Sequence, residues 1–76
     1  MYYLIVNKNN HKYYCNRSSN PQRSIDAHIR RANNPNSATY YSDLHIALRE
    51  EGTENFNFYS LNYIPTWVKR FTRYME

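Results

Sequence analysis

The stretch Leu44-His45-Ile46-Ala47-Leu48-Arg49-Glu50-Glu51-Gly52-Thr53-Glu54-Asn55-Phe56-Asn57-Phe58 decides how the rest of the chain is read. Leu44, Ala47 and Leu48 recur at i, i+3 and i+4, the spacing of one helix face. Ser42 just upstream is a good N-cap, and Gly52, the only glycine, stands where a C-terminal cap belongs. Phe56 to Leu61 is rich in aromatic residues and reads as a strand. The passage is therefore a capped helix, a glycine stop and a strand.

Working outward, Tyr2-Tyr3-Leu4-Ile5-Val6 reads as a buried strand of aromatic and β-branched residues. Asn7 to His11 is a polar turn, and Lys12-Tyr13-Tyr14-Cys15 a second strand, which makes a hairpin. Asn20-Pro21 opens a helix, since Asn caps and Pro suits the first helical position. Ile25, His28, Ile29 and Ala32 form its apolar face; Arg23, Asp26 and Arg30 stand opposite. Asn33 to Ser37 ends it. Toward the C-terminus, Pro65 is expected to open a third helix with Trp67, Val68, Phe71, Tyr74 and Met75 on one face. Lys69, Arg70 and Arg73 lie away from that face. Trp67 and Phe71 are expected to seal the core, or to form a partner surface if that helix is short and exposed. His11 and His45 are expected in solvent, and Cys15 buried and inert. The expected order is β-β-α-α-β-α: an α+β domain, residues 1–76, with a three-stranded antiparallel sheet flanked by helices.

Composition narrows the function classes. With 76 residues, the chain has room for one thin core. At 41% apolar and 17% aromatic residues it is expected to fold rather than stay disordered. No apolar run is long enough for a membrane span, and Lys8 with the Asn7–Asn10 stretch breaks any signal-peptide pattern. Cys15 alone excludes an internal disulfide, and with three scattered histidines it makes no zinc spacing. A cytoplasmic location is expected. The net charge of +4 is uneven. Residues 1–38 hold six cations against Asp26, a net +5; residues 39–76 hold four against five anions, a net −1. The first half is suited to a polyanion, nucleic acid and most simply DNA.

The order and several stretches resemble the GIY-YIG nuclease family. Met1-Tyr2-Tyr3 stands in place of the first motif and Tyr14-Cys15-Asn16 in place of the second. Asn7-Lys8-Asn9-Asn10-His11-Lys12 resembles the family's N-K-x-N-G-K turn. Ser18-Ser19-Asn20-Pro21 resembles the loop after the second motif, and Ile25 with His28 the first-helix pattern. Residues 44–58 resemble the family's helix-Gly-x-E-N-F-x-F passage. The likeness runs without a gap from Met1 to about Tyr41, and again from Leu44 to Pro65. It implies a family domain lacking its C-terminal part.

What the resemblance implies for chemistry is mixed. Family nucleases use the motif tyrosines to position or activate water, an Arg to stabilise the phosphate, and a Glu to hold one divalent metal. Such groups absorb the developing negative charge of phosphoryl transfer. Tyr3 and Tyr14 keep the tyrosines, and His28 keeps the helix histidine. Ser24 stands where the Arg is expected, with Arg23 one position earlier and so about 100° away around the helix. Glu76 is the nearest carboxylate to the metal position. The motif glycines are replaced by Met1 and Asn16, and Asn16 tolerates a left-handed backbone if one is needed.

The candidate catalytic set is therefore Tyr3, Tyr14, Arg23 and His28, with Glu76 and a metal such as magnesium only if the site is active. The candidate nucleic-acid set is Arg17, Arg23, Arg30, Arg31 and Lys12. The leading expectation is a catalytically inactive module that binds nucleic acid and needs no cofactor. One alternative is a phage-type inhibitor that blocks a host protein through the pairs Tyr2-Tyr3, Tyr13-Tyr14 and Tyr40-Tyr41. The other is an active metal-dependent endonuclease.

Overall fold

A computed structural model describes residues 1–75. The chain forms β1 (Tyr2–Asn7), β2 (Tyr13–Arg17), α1 (Pro21–Ala32), α2 (Asp43–Glu51) and β3 (Phe56–Leu61). It is an α+β fold with one antiparallel sheet in the order β2-β1-β3. The first strand is thus the central one. Ile5 is paired with Tyr14 on one side and Phe58 on the other.

Local chemistry explains the elements. Asn20 accepts the Arg23 N–H at 3.2 Å, and Pro21 follows as the first residue of α1. Ser42 accepts the His45 N–H at 3.4 Å to cap α2. Gly52 ends α2 at φ 87°, a backbone that L side chains rarely adopt, and a Cβ there would collide with the Glu54 carboxylate. In the hairpin, His11 takes φ 62° where the resembled turn has glycine. Asn16, by contrast, is an ordinary strand residue of β2 opposite Tyr3.

Strand alternation sends side chains to two faces. Tyr3, Ile5, Tyr14 and Phe56 meet Ile25, Ala32, Leu44, Ala47 and Leu48 of the helices in the larger core cluster. Leu4 and Val6 face the other way and meet Val68, with Tyr13, Cys15 and Leu61 packed around them. Cys15 is therefore half-buried on this second face rather than fully buried.

The expected third helix does not form. Residues Thr66–Arg70 make a short 3₁₀ turn, and no side chain caps it. Thr66, Trp67, Val68, Phe71 and Thr72 are poor helix formers, and the open edge of β2 offers competing backbone partners. The Tyr13 N–H donates to the Thr72 carbonyl at 3.1 Å, and the Tyr74 N–H to the Tyr13 carbonyl at 2.6 Å. Tyr13 and Arg73 form a parallel bridge. This C-terminal strap crosses the second face, places Val68 in it, and rounds the β2 edge so that Tyr74 enters the helix-side core. Trp67 and Phe71 do not seal the core: they are 42% and 38% exposed, and Met75 is exposed too.

Candidate functional site

Tyr3 and Tyr14 leave adjacent strands on the helix-covered face, where α1 delivers His28. The three rings gather closely: Tyr3 to His28 is 5.5 Å between centroids and Tyr14 to His28 is 5.2 Å. The Tyr3 hydroxyl lies 2.8 Å from His28 Nε2. His28 Nδ1 lies 2.8 Å from His45 Nε2, and His45 Nδ1 lies 2.9 Å from the Thr39 carbonyl.

With neutral imidazoles this chain has one direction. The Thr39 carbonyl can only accept, so His45 Nδ1 carries the proton and His45 Nε2 accepts from His28 Nδ1–H. His28 Nε2 then accepts from the Tyr3 hydroxyl. The wire is interior: Tyr3 is 5% exposed, Tyr14 2%, His28 3% and His45 0%. His45 is therefore a correction to the expectation of a solvated histidine. It lies about 60° around α2 from Leu48, within the arc that packs on α1. Buried polar groups demand partners, and this wire supplies them between β1, α1, α2 and the loop before α2.

Arg23 does not join these rings. Pro21, Ile25, His28 and Ala32 are the buried residues of α1, and Arg23 and Arg30 project opposite, within about 20° of each other. Both are exposed, as are Arg31 at the end of α1 and Arg17 at the end of β2. Ser24 stays on the inner side and hydrogen bonds Ser18 Oγ at 2.6 Å. Arg17 borders an open groove of about 400 Å³ with Met1, Ser18 and Ser19.

Lys12 is placed apart from these arginines. Its ammonium sits 4.8 Å from the Tyr74 ring centroid. It lines a cleft of about 280 Å³ with Asp43, Glu50 and Glu51. The metal candidate Glu76 lies outside the described residues. Among the described residues, no three of His, Cys, Asp and Glu are grouped to hold a metal ion.

Two further residues organise the site, and sequence reading missed both. Arg49 donates to the carbonyls of Ala32 at 2.6 Å and Tyr40 at 3.1 Å, and its guanidinium lies 3.7 Å from the Tyr40 ring centroid. It thereby caps the C-terminus of α1 and ties down the loop to α2. Asn7, fully buried, donates to both Glu51 carboxylate oxygens at 3.1 Å and to the Tyr74 hydroxyl at 2.9 Å. Its own side-chain oxygen accepts the Asn9 N–H at 2.8 Å, closing the hairpin turn. One amide thus joins the hairpin, α2 and the strap.

Among the tyrosine pairs, Tyr3 and Tyr14 are interior, Tyr40 lies under Arg49, and Tyr41 is 79% exposed. Among the described residues, no helix is long and apolar enough to cross a membrane. Comparison of the chain with protein-family models, with curated proteins and with solved structures finds no match.

Proposed function

We propose that this protein is a non-catalytic, GIY-YIG-like module that binds nucleic acid, DNA in the first instance, through Arg17, Arg23, Arg30 and Arg31. The observation that carries the reading is a separation. The tyrosines and histidine at the nuclease-like positions are interior and engaged with one another, while the four arginines stand in water. Arg23 and Arg30 lie two turns apart on one face of α1, about 10 Å along its axis, so both can reach phosphates of one backbone.

The test is fluorescence anisotropy on a labelled duplex across a salt series. Each lost phosphate contact lowers the log–log salt slope by about 0.9. The double variant Arg23→Ala/Arg30→Ala is expected to lower it by nearly two such steps; an unchanged slope ends the reading. A supercoiled plasmid with magnesium or manganese is the companion control. Nicking that disappears in Tyr3→Phe would replace this reading with an active nuclease.

A second reading has its own observation. The strap leaves Tyr63, Ile64, Trp67 and Phe71 between 37% and 69% exposed, and such a surface suits a protein partner. An inhibitor of a host protein is expected to lose its partner in Trp67→Ser and to keep it in Arg23→Ala.

A further inference from the structure

The sheet treats its two edges differently. The outer edge of β2 is blunted: residues 72–74 of the strap bond to Tyr13, the Arg73 side chain donates to the Cys15 carbonyl, and the Arg17 N–H bonds to the Asn16 side chain. Among the described residues, β3 pairs with β1 alone. Ladder parity identifies which groups this leaves. The Asn7 N–H bonds to the Lys12 carbonyl, so the odd-numbered residues of β1 bond toward β2. The even-numbered ones bond toward β3, as the Lys8 N–H to Asn55 carbonyl bond at 2.8 Å does. Their partners are Asn57, Tyr59 and Leu61. Phe58 and Ser60 therefore point N–H and C=O away from the sheet. Phe56 does not offer the same: its N–H bonds back to Thr53 and the residue is buried.

Natural sheets blunt an open edge with a charge, a proline or a bulge. β3 has none of these, and its register with β1 is unbroken. From Asn55 to Val68 no residue is charged, in a chain with ten Lys or Arg and six Asp or Glu.

We propose that β3 of one copy pairs antiparallel with β3 of a second copy about a two-fold axis at Tyr59, giving a continuous six-stranded sheet. In that register Phe58 of each copy exchanges both backbone hydrogen bonds with Ser60 of the other. The two Tyr59 side chains then meet as a non-hydrogen-bonded pair, the closer kind, where aromatic partners are favourable. Three observations select a second copy of this chain as the occupant. The outward residues Phe58 and Ser60 flank Tyr59 evenly, so the edge is complementary to itself. The uncharged strand lets two molecules of net charge +4 meet without like charges at the seam. The strap at Tyr13, the Arg73 side chain on the Cys15 carbonyl and the charged Arg17 together blunt the β2 edge, so association closes at two rather than growing into a fibre. An axis normal to the sheet puts both α1 helices on the same face and their arginines on one surface. That last consequence bears on the nucleic-acid reading, but the pairing itself does not rest on it.

Sedimentation across a wide concentration series tests the pairing without any nucleic acid. The natural protein is expected to show a monomer–dimer equilibrium. Tyr59→Lys and Tyr59→Glu, each placing like charges face to face, are expected to weaken it about tenfold or more. An equal mixture of the two variants is expected to restore the dimer. Amide exchange supplies a readout that needs no variant: Phe58 and Ser60 should gain protection as concentration rises, while Tyr59 is protected throughout. A protein monomeric at every concentration, species larger than a dimer, or variants that dimerise like the natural chain would each overturn the proposal.

Discussion

The two faces of the sheet are closed by different means. On one, two helices bring Ile25, Ala32, Leu44, Ala47 and Leu48 against the strands, and a hydrogen-bonded wire of Tyr3, His28 and His45 runs between them. On the other, a single strap contributes Val68 alone as a fully buried side chain and leaves Trp67, Phe71 and Tyr63 in contact with water. The first arrangement specifies a structure. The second protects strands and displays aromatic side chains. One thin sheet thus carries its specified core on one side and exposed aromatic side chains on the other, and the buried Tyr3 and Tyr14 belong to the core.

That contrast is breakable. The largest effect is expected from Leu44→Ala, which empties a position with no exposure at the helix interface. It should cost about 3–4 kcal/mol in urea unfolding; a loss near 1 kcal/mol would mean that the helix side is not the principal core. Asn7→Ala is next, at about 2–3 kcal/mol, because it takes the buried donor from the Tyr74 hydroxyl, two hydrogen bonds from the Glu51 carboxylate and the acceptor from the Asn9 N–H. Since Asn7 serves both the hairpin and the strap, its amide-exchange effects should reach both faces.

Val68→Ala is expected to cost about 2 kcal/mol, two buried methyl groups and a small cavity. The contrast is sharpened by where the loss appears. Amides of Tyr13 and Tyr74 should exchange faster while Ile5 stays protected; uniform acceleration would show the two faces to be one cooperative unit. Tyr3→Phe deletes the hydroxyl that donates to His28 Nε2, for about 1–2 kcal/mol. Tyr63→Ser, at 69% exposure on the strap side, should change stability by less than about 0.5 kcal/mol. A larger loss would assign the strap's aromatic surface a structural role.

The parts of this fold that were legible in sequence are those with local signals. Asn20-Pro21, Ser42 and Gly52 mark helix ends through backbone chemistry that needs no tertiary partner. Tyr2 to Val6 and Phe56 to Leu61 have the composition of strands and became strands. The strap was illegible because its apolar residues fall at helical spacing, while the force shaping it is distant: the bare edge of Tyr13. His45 and Arg49 were missed because polar letters on a helix read as solvent-facing. A signal for His45 was present in its closeness to Leu48 around α2. Arg49 had none, since its partners are carbonyls of Ala32 and Tyr40. The arginine face of α1 was readable from spacing, whereas the burial of Tyr3 and Tyr14 required the helices to be in place.

The position of β1 at the centre of the sheet sets a timetable for synthesis. Leu4 lies opposite Tyr59, and Asn7 needs Tyr74. At about 5–20 residues per second, the ribosome delivers β3 roughly 3–10 s after β1. During that interval the most apolar strand of the protein has only the hairpin and the helices for cover. Until then β2 is the only strand that β1 can pair with, so closing the hairpin at Asn7–His11 is the first step that covers an edge of the central strand.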